Sequence, residues 1–206
     1  MPQNFEPIEH EKYYHIYNRG INGEILFREP DNYRHFLRLY EKYIDPVAET
    51  FAWCLLRNHF HLLVRIKEED EIASSRPDRF SKPVRSPATK QPHQYFSNLF
   101  NAYTKAYNKR HNRHGALFER PFRRIQITHE KYFKNMVCYI HNNPVKHGFV
   151  DDMVEYPWSS YLSIISVKPT KLQREAVLGW FNSKNNFRIF HQKERKEKEI
   201  EKFIME

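Results

Sequence analysis

His59 and His61 are separated by one residue in a segment whose polar and apolar side chains alternate. Alternation over residues 57–66 is typical of a β-strand, in which successive side chains point to opposite faces. We therefore expect both imidazoles on one face, with Phe60 and Leu62 on the other. Two imidazoles on one rigid strand can hold a divalent metal, although two hydrogen-bonded histidines on a half-open sheet are the more common arrangement.

A second pair, Tyr139 and Asn143, lies far along the chain in a segment whose apolar spacing predicts a helix over about 129–142. Residues four apart are neighbours on a helix surface, so the two side chains share one face. Asn143 precedes Pro144, which disfavours helical backbone, so we predict the pair at the helix end. Taken alone, the tyrosine would be an amphipathic edge residue and the asparagine a C-cap.

Together the two pairs predict metal-assisted chemistry at a phosphate. The imidazoles of His59 and His61 and the amide oxygen of Asn143 would hold Mg²⁺ or Mn²⁺, with positions left for a phosphate oxygen. Tyr139, one turn before Asn143, would be the nucleophile. A phosphotyrosine would then conserve the energy of the broken phosphodiester for a second, rejoining step.

The distribution of charge indicates a polyanionic partner. The 206 residues include 34 Lys and Arg against 25 Asp and Glu, a formal net charge of +9. Between residues 76 and 124 there are 12 basic residues and only 2 acidic ones. Such a segment, interleaved with aromatic and amide side chains, is more typical of a nucleic-acid site than of a merely solvated face. The predicted DNA-binding residues are Arg19, Lys105, Lys109, Arg113, Arg120, Arg123 and Arg124.

Composition also argues against two classes of protein. A mean hydropathy of −0.83 and the lack of a long apolar run exclude a transmembrane helix. Residues 1–6 do not resemble a signal peptide. The two cysteines, Cys54 and Cys138, have no metal-type spacing and fit a reducing compartment. We therefore expect a cytoplasmic protein that does not enter a membrane.

Hydrophobic patterning predicts alternating strands and helices. Strands are expected at 13–19 and 47–56, the second joined to the histidine strand by a tight hairpin at 57–58. Helices are expected at 30–44 and 93–109, with a helix-free, mobile, basic loop at about 67–92 between the histidine strand and the second helix. A bent edge strand at 117–127 carries three arginines, and two further helices are expected at about 171–181 and 184–204.

Five motifs resemble those of the histidine–hydrophobic–histidine single-tyrosine transposases, in particular the REP-associated tyrosine transposase branch of the insertion-sequence-200-like family. They stand in the family's order and span roughly residues 13–161. The motifs are YHIYNRG at 14–20, NHFHLL at 58–63, GALFERPFR at 115–123, YIHNNPVKHG at 139–148 and WSSY at 158–161.

The resemblance implies an α+β fold: a ferredoxin-like antiparallel sheet with helices on one face and a tyrosine-bearing helix at the active site. It implies a catalytic domain over 1–161 and a C-terminal helical extension over 162–206. It also implies cleavage of single-stranded DNA near hairpins or palindromes, through a 5′-phosphotyrosine intermediate, followed by rejoining. Tyr139 would be the nucleophile, and His59, His61 and Asn143 would bind Mg²⁺ or Mn²⁺. The sequence leaves open whether the protein is a monomer or a homodimer.

Two positions depart from the family pattern. Arg57 stands where proline is frequent, and Glu119 where glutamine is common, which puts a polar DNA contact at Glu119 in question. Two other functions remain compatible with the sequence: a module of the same fold that binds structured DNA or RNA without cleaving it, and a metallohydrolase of small phosphates. The basic segment favours the nucleic-acid functions, and the Tyr139–Asn143 pair favours catalysis.

Overall fold

The computed structural model describes residues 7–74, 91–129 and 131–192. Its strands are β1 (Tyr13–Arg19), β2 (Ala48–Leu56), β3 (His59–Ile66) and β4 (Arg123–Ile127). They form a central four-stranded antiparallel sheet in the spatial order β2-β3-β1-β4. Leu56 of β2 pairs with His59 of β3, so residues 57 and 58 form the predicted two-residue hairpin.

The larger helices connect these strands and cover the sheet. The helices are α1 (Pro30–Tyr43), α2 (Glu69–Ser74), α3 (Pro92–Arg110), α4 (Lys131–Lys146), α5 (Tyr161–Ile165), α6 (Arg174–Trp180) and α7 (Lys184–Gln192), with short 3₁₀ turns at Ile21–Gly23 and Met153–Glu155. The succession β1-α1-β2-β3-α3-β4, combined with the strand order, is that of the ferredoxin-like fold, which confirms the predicted fold class. No helix among the described residues combines the length and apolar character needed to cross a bilayer.

The first hydrophobic core lies between the sheet and helices α1 and α3. Helix α1 begins with Pro30 at a position where the missing N–H costs nothing, and Glu29 and Asn32 form a reciprocal capping box. Its apolar face packs on β3, where the rings of Phe36 and Phe60 lie 5.3 Å apart. Because Phe60 is committed to this core, the side chains that alternate with it must face the other side of the sheet.

The second core lies on that other side, between the sheet, α4 and the C-terminal helices. Leu63 of β3 packs there with Ile140 of α4. Val177 of α6 and Phe187 of α7 are fully buried in the same cluster. The described part of the predicted C-terminal extension therefore contributes to the core that supports α4. The domain division at residue 161 stays a prediction.

Three predictions of local structure were wrong, and the first two concern a loop and an edge strand. The loop predicted over 67–92 contains helix α2, because a Glu71 carboxylate oxygen caps the N–H of Glu68 at 2.9 Å and Ile72 is buried. The remainder of that loop, 75–90, lies outside the described residues, as do the last residues of the helix predicted over 184–204. The edge strand begins only at Arg123, because Pro121 carries no N–H for a ladder.

Helix α4 continues through Pro144 instead of ending before it, which corrects the expected end near residue 142. The side-chain amide of Asn143 donates to the Tyr139 carbonyl at 2.7 Å, within the turn that the proline interrupts. The helix ends at Lys146, and Gly148, two residues later, has a φ of 69°, the left-handed conformation that commonly follows a helix C-terminus. There Phe149 N–H donates to the Pro144 carbonyl at 2.9 Å, which satisfies one of the last helical acceptors.

Candidate active site

A cavity of about 510 Å³ opens on the α4 side of the sheet, at the end of β1 and the start of β3. It brings together His59, His61 and Tyr139, which come from distant parts of the chain, with the predicted DNA-binding residues Arg19 and Arg123. We call it the histidine cavity. Its lining residues are Tyr17, Asn18, Arg19, Asn58, His59, His61, Glu119, Arg123, Tyr139 and His147.

Two further imidazoles extend the predicted pair into what we call the cavity histidine cluster: His15, His59, His61 and His147. The ring of His15 on β1 stacks on His61 with centroids 5.1 Å apart, and its Nε2 lies 2.9 Å from His61 Nδ1. The ring of His147 lies 4.9 Å from that of His59, edge to face. Sequence reasoning missed both residues, although His147 is four residues after Asn143, the spacing at which helical side chains are neighbours.

Burial keeps the cluster uncharged at neutral pH. Desolvation lowers the pKa of His15 to about 3. Desolvation, with smaller contributions from His147 and Arg19, lowers the pKa of His59 to about 4. The pKa of His61 is held well below its ordinary value, and that of His147 is lowered, in both cases chiefly by burial. Neutral imidazole is the form that carries a lone pair for a metal or a proton.

The hydrogen bonds of the cluster orient its nitrogens. Nδ1 of His59 lies 2.8 Å from the Asn58 side-chain oxygen, so Nδ1 is the donor and Nε2 keeps a lone pair. When His61 Nδ1 donates to His15, Nε2 of His61 likewise keeps its lone pair. His15 Nδ1 then has no hydrogen-bond partner among the described residues, although it is buried. The cluster is therefore incompletely hydrogen-bonded.

Helix α4 and the residue that follows it place three side chains beside this cluster at four-residue spacing: Tyr139 and Asn143 on the helix, and His147, whose N–H donates to the Asn143 carbonyl at 3.0 Å. The Tyr139 ring lies edge-on to His61, with centroids 5.4 Å apart. Since the Tyr139 and His147 rings contact His61 and His59 respectively, Asn143 lies between the two contacts on the same stripe. Asn143 is only 1% exposed and does not line the cavity, and its Oδ1 has no partner within the described parts of the chain.

In residues 7–74, 91–129 and 131–192, no group of three or more His, Cys, Asp or Glu side chains is arranged to hold a metal ion. The predicted ligand set, His59, His61 and Asn143, is not such a group, because its third member is an amide. A metal at this site would therefore depend on the Asn143 amide oxygen or on oxygens brought by a substrate.

The predicted cationic residues do not all reach the histidine cavity. Arg19 pairs with Glu119 at 2.5 Å across the cavity lining, and Arg123 lies nearby. Arg120 and Arg124 line an adjoining cavity. The remaining three lie elsewhere: Lys105 is exposed on α3, Lys109 lines a groove between α1 and α3, and Arg113 pairs with Glu24 and donates to the Ala116 carbonyl at 2.7 Å.

The opposite side of α4 carries a second histidine group, which we call the buried histidine chain: Ser160, His141 and His191. His191 Nδ1 donates to the Phe187 carbonyl at 2.7 Å, so its Nε2 accepts from His141 Nδ1 at 3.0 Å. His141 Nε2 then accepts from the Ser160 hydroxyl at 2.7 Å, and the Ser160 oxygen accepts from Trp53 N–H at 2.9 Å. Every ring nitrogen in this chain is paired, and none of its three residues lines the histidine cavity.

The chain resembles known proteins in sequence and in fold, although no protein-family model matches it. A protein of Haemophilus influenzae described as a REP-associated tyrosine transposase is 29% identical over 113 residues. The match covers 55% of this chain and 58% of that relative, so the chain spans little more than half the length of the relative it matches.

A solved structure described as a REP-associated tyrosine transposase bound to a REP hairpin superposes with a TM-score of 0.59 and 19% sequence identity. The superposition covers 82% of this chain and 89% of that one, so the two share a fold. The comparisons agree with the five motifs: this chain is similar to the REP-associated tyrosine transposases.

Proposed function

We propose that this protein is a transposase that cleaves and rejoins single-stranded DNA next to hairpins, with Tyr139 as its nucleophile. The observation that carries the proposal is the edge-on approach of Tyr139 to His61 in a cavity that His59 and Arg123 also line. The names of the relative and of the structural neighbour support it. The substrate would be a single strand with hairpin or palindromic elements, met in the cytoplasm by a monomer or homodimer.

The proposed reaction exchanges one phosphodiester for another. The Tyr139 oxygen bonds to phosphorus while the bond to the 3′-oxygen breaks, and the departing 3′-oxygen gains a proton that balances the one lost by the phenol. The product is a 5′-phosphotyrosine and a free 3′-OH. Attack by a 3′-OH reverses the step and rejoins the strand, so no external energy source is needed.

The chain's own groups fit a divalent metal such as Mg²⁺ or Mn²⁺, which we propose is held by His59, His61 and Asn143. Two observations support this set: the low pKa values that keep both imidazoles neutral, and the buried Asn143 Oδ1 with no partner among the described residues. When bound, such a cation polarises a phosphodiester and stabilises the charge that develops on it. Asn58 fixes the orientation of His59 by its hydrogen bond.

Arginine side chains would hold the DNA backbone at the cavity. Arg123 is exposed and lines the histidine cavity. Arg19 is also exposed but pairs with Glu119, which we expect a phosphate to displace, because an exposed ion pair contributes little. Guanidinium groups suit phosphate because their planar donors match two of its oxygens.

The test is a search for the covalent adduct. Hairpin-bearing single strands, labelled on each side of the hairpin, are incubated with the protein and Mn²⁺ and resolved on a denaturing gel. We expect an adduct with the wild type and none with Tyr139→Phe, which loses only the hydroxyl. The matched control is Tyr132→Phe, on the same helix two turns earlier and outside the cavity lining.

Two outcomes would contradict the proposal. An adduct that persists in Tyr139→Phe moves the nucleophile to another tyrosine. If the wild-type protein binds hairpins but forms no adduct with either Mg²⁺ or Mn²⁺, the protein is a non-cleaving DNA-binding module and not a transposase.

A further inference from the structure

Tyr17 is a second tyrosine in the histidine cavity, and the reaction proposed above gives it no role. It lies on β1 directly opposite His61 of β3 and, on its other side, directly opposite Arg123 of β4. Residues directly opposite each other in an antiparallel pair project from the same face of the sheet. His61, Tyr17 and Arg123 therefore form one row across three adjacent strands, on the face that Tyr139 approaches.

The ring of Tyr17 is held by stacking on two imidazoles. Its centroid lies 4.8 Å from that of His15, with the ring planes inclined at 19°. It lies 5.8 Å from that of His61, with the planes inclined at 27°. Aromatic contacts between neighbouring strands stabilise their pairing. Such packing accounts for an aromatic ring at residue 17 but not for its hydroxyl, which phenylalanine lacks.

The Tyr17 hydroxyl is an unused hydrogen-bond donor at the cavity. It has no hydrogen-bond partner among the described residues, whereas the buried hydroxyls of Tyr103 and Tyr107 each donate to a peptide carbonyl. Burial raises the pKa of Tyr17, and the nearby Arg123 opposes that shift only in part, so the phenol keeps its proton at neutral pH. A protonated phenol can donate one hydrogen bond to a ligand.

We propose that Tyr17 is a further catalytic residue, whose hydroxyl donates a hydrogen bond to a non-bridging oxygen of the phosphate that Tyr139 attacks. This inference rests on the proposed function and adds one residue to it. A phosphate that binds Arg123 at one end of the row and is attacked beside His61 at the other lies next to Tyr17. A donor that is already in position stabilises the charge that develops on the phosphate as the tyrosine oxygen bonds to it. Tyr17 keeps its proton and forms no covalent bond.

The first measurement is cleavage by Tyr17→Phe, which removes the hydroxyl and keeps the stacked ring. At saturating hairpin DNA with Mn²⁺, we expect the rate to fall by about 10²-fold or more, the range for loss of one preorganised donor. Mn²⁺ affinity should stay unchanged, because His59 and His61 are intact. The matched control is Tyr13→Phe, on the same face of β1 but outside the cavity, which should cleave as the wild type does.

The second measurement requires neither metal nor cleavage. In proteins that carry Tyr139→Phe, binding is measured to hairpin strands with a methylphosphonate placed in turn at each position beside the hairpin. Each of its diastereomers replaces one non-bridging oxygen by a methyl group. We expect Tyr17→Phe to weaken binding of unmodified DNA roughly 10-fold, as for a hydrogen bond to a charged group. At one position, and for one diastereomer, this difference between the two proteins should disappear.

Cleavage and binding by Tyr17→Phe equal to those of the matched Tyr17 proteins overturn the inference. So does a loss of binding that has the same size at every methylphosphonate position. An adduct that is lost in Tyr17→Phe but kept in Tyr139→Phe makes Tyr17 the nucleophile and overturns both proposals.

The two proposals can also fail separately. If the wild type forms no adduct but the binding difference disappears at one position, the proposed reaction fails and the contact between Tyr17 and a phosphate remains. If the wild type forms the Tyr139 adduct and Tyr17→Phe changes neither cleavage nor binding, the reaction remains and Tyr17 has no part in it.

Discussion

The two histidine groups on either side of α4 have opposite hydrogen-bonding states. In the buried histidine chain, both nitrogens of His141 and His191 are paired, and the chain ends on a peptide carbonyl and a peptide N–H. In the cavity histidine cluster, His15 Nδ1 is buried without a partner among the described residues, and His61 lines a cavity of about 510 Å³.

This difference in hydrogen bonding distinguishes a structural role from a ligand-binding role. A buried polar network that is fully satisfied stabilises one packing arrangement and has no valence left for a ligand. A cluster whose hydrogen bonds are incomplete costs stability, and is maintained where its free lone pairs have a use. Both groups contain two or more buried imidazoles, so residue type alone does not distinguish them.

The largest effect is expected from breaking the cavity cluster. His61→Ala and His59→Ala should each lower cleavage by about 10³-fold or more and abolish measurable Mn²⁺ binding, because each removes a proposed ligand. Cleavage is measured at saturating DNA and Mn²⁺ binding by calorimetry. His114→Ala, at an exposed histidine outside both groups, is the control. Unchanged Mn²⁺ affinity in both variants would restore the view that these are ordinary sheet histidines.

Disrupting the buried histidine chain should lower the stability of the protein and leave its Mn²⁺ affinity unchanged. His141→Leu keeps most of the side-chain volume but leaves the Ser160 hydroxyl and His191 Nε2 unpaired, which should lower the free energy of unfolding by about 2–4 kcal/mol. Mn²⁺ affinity should stay unchanged at temperatures where the variant is folded. Urea denaturation measures the first quantity and calorimetry the second. A loss of metal affinity equal to that of His61→Ala would erase the distinction between the groups.

Acid should destabilise the protein through the cavity cluster. In the folded protein the pKa of His15 is about 3 and that of His59 about 4, below the ordinary value of 6.5. At pH values between the folded and ordinary pKa, the unfolded chain therefore binds more protons than the folded protein. The contribution of these two histidines to the free energy of unfolding is therefore fully present above about pH 6.5. It falls as the pH drops toward 4, by up to about 1.4 kcal/mol per pH unit for each histidine. His15→Phe should flatten this dependence in urea denaturation series at pH 7, 6 and 5. An equally steep decline in that variant would contradict the prediction.

The smallest effect concerns the cations beside the cavity cluster. Replacing Arg123 and Arg124 by alanine removes at most two phosphate contacts, so the slope of log affinity against log salt should become shallower by roughly 1 to 1.4. Binding should weaken similarly on unrelated sequences, since phosphate contacts do not read bases. Replacing Lys105 and Lys109, on α3 outside both cavities, tests whether the DNA footprint extends along that helix. An unchanged slope in the arginine variant would leave these residues as solubilising groups.

Local pattern was sufficient to predict several elements of the site. The two-residue period of a strand put His59 and His61 on one face, and the buried Phe60 confirms it. The four-residue spacing of Tyr139 and Asn143 likewise put them on one helix face. The hairpin at residues 57–58 followed from two adjacent alternating segments. Each of these depends only on residues close together in the chain.

The tertiary structure determines which other side chains lie beside the predicted site residues. His15 meets His61 because β1 and β3 pair in one register, in which Tyr17 lies opposite His61; a shift by one residue would turn His15 to the other face. His141 and His191 look no different in the sequence from the cavity histidines, and only the packing of α7 on α4 pairs their nitrogens. The sequence by itself determined which side chains of one strand or helix share a face, since that relation is a property of the local backbone. Which faces meet, and which nitrogens are left unpaired, depends on long-range packing and register.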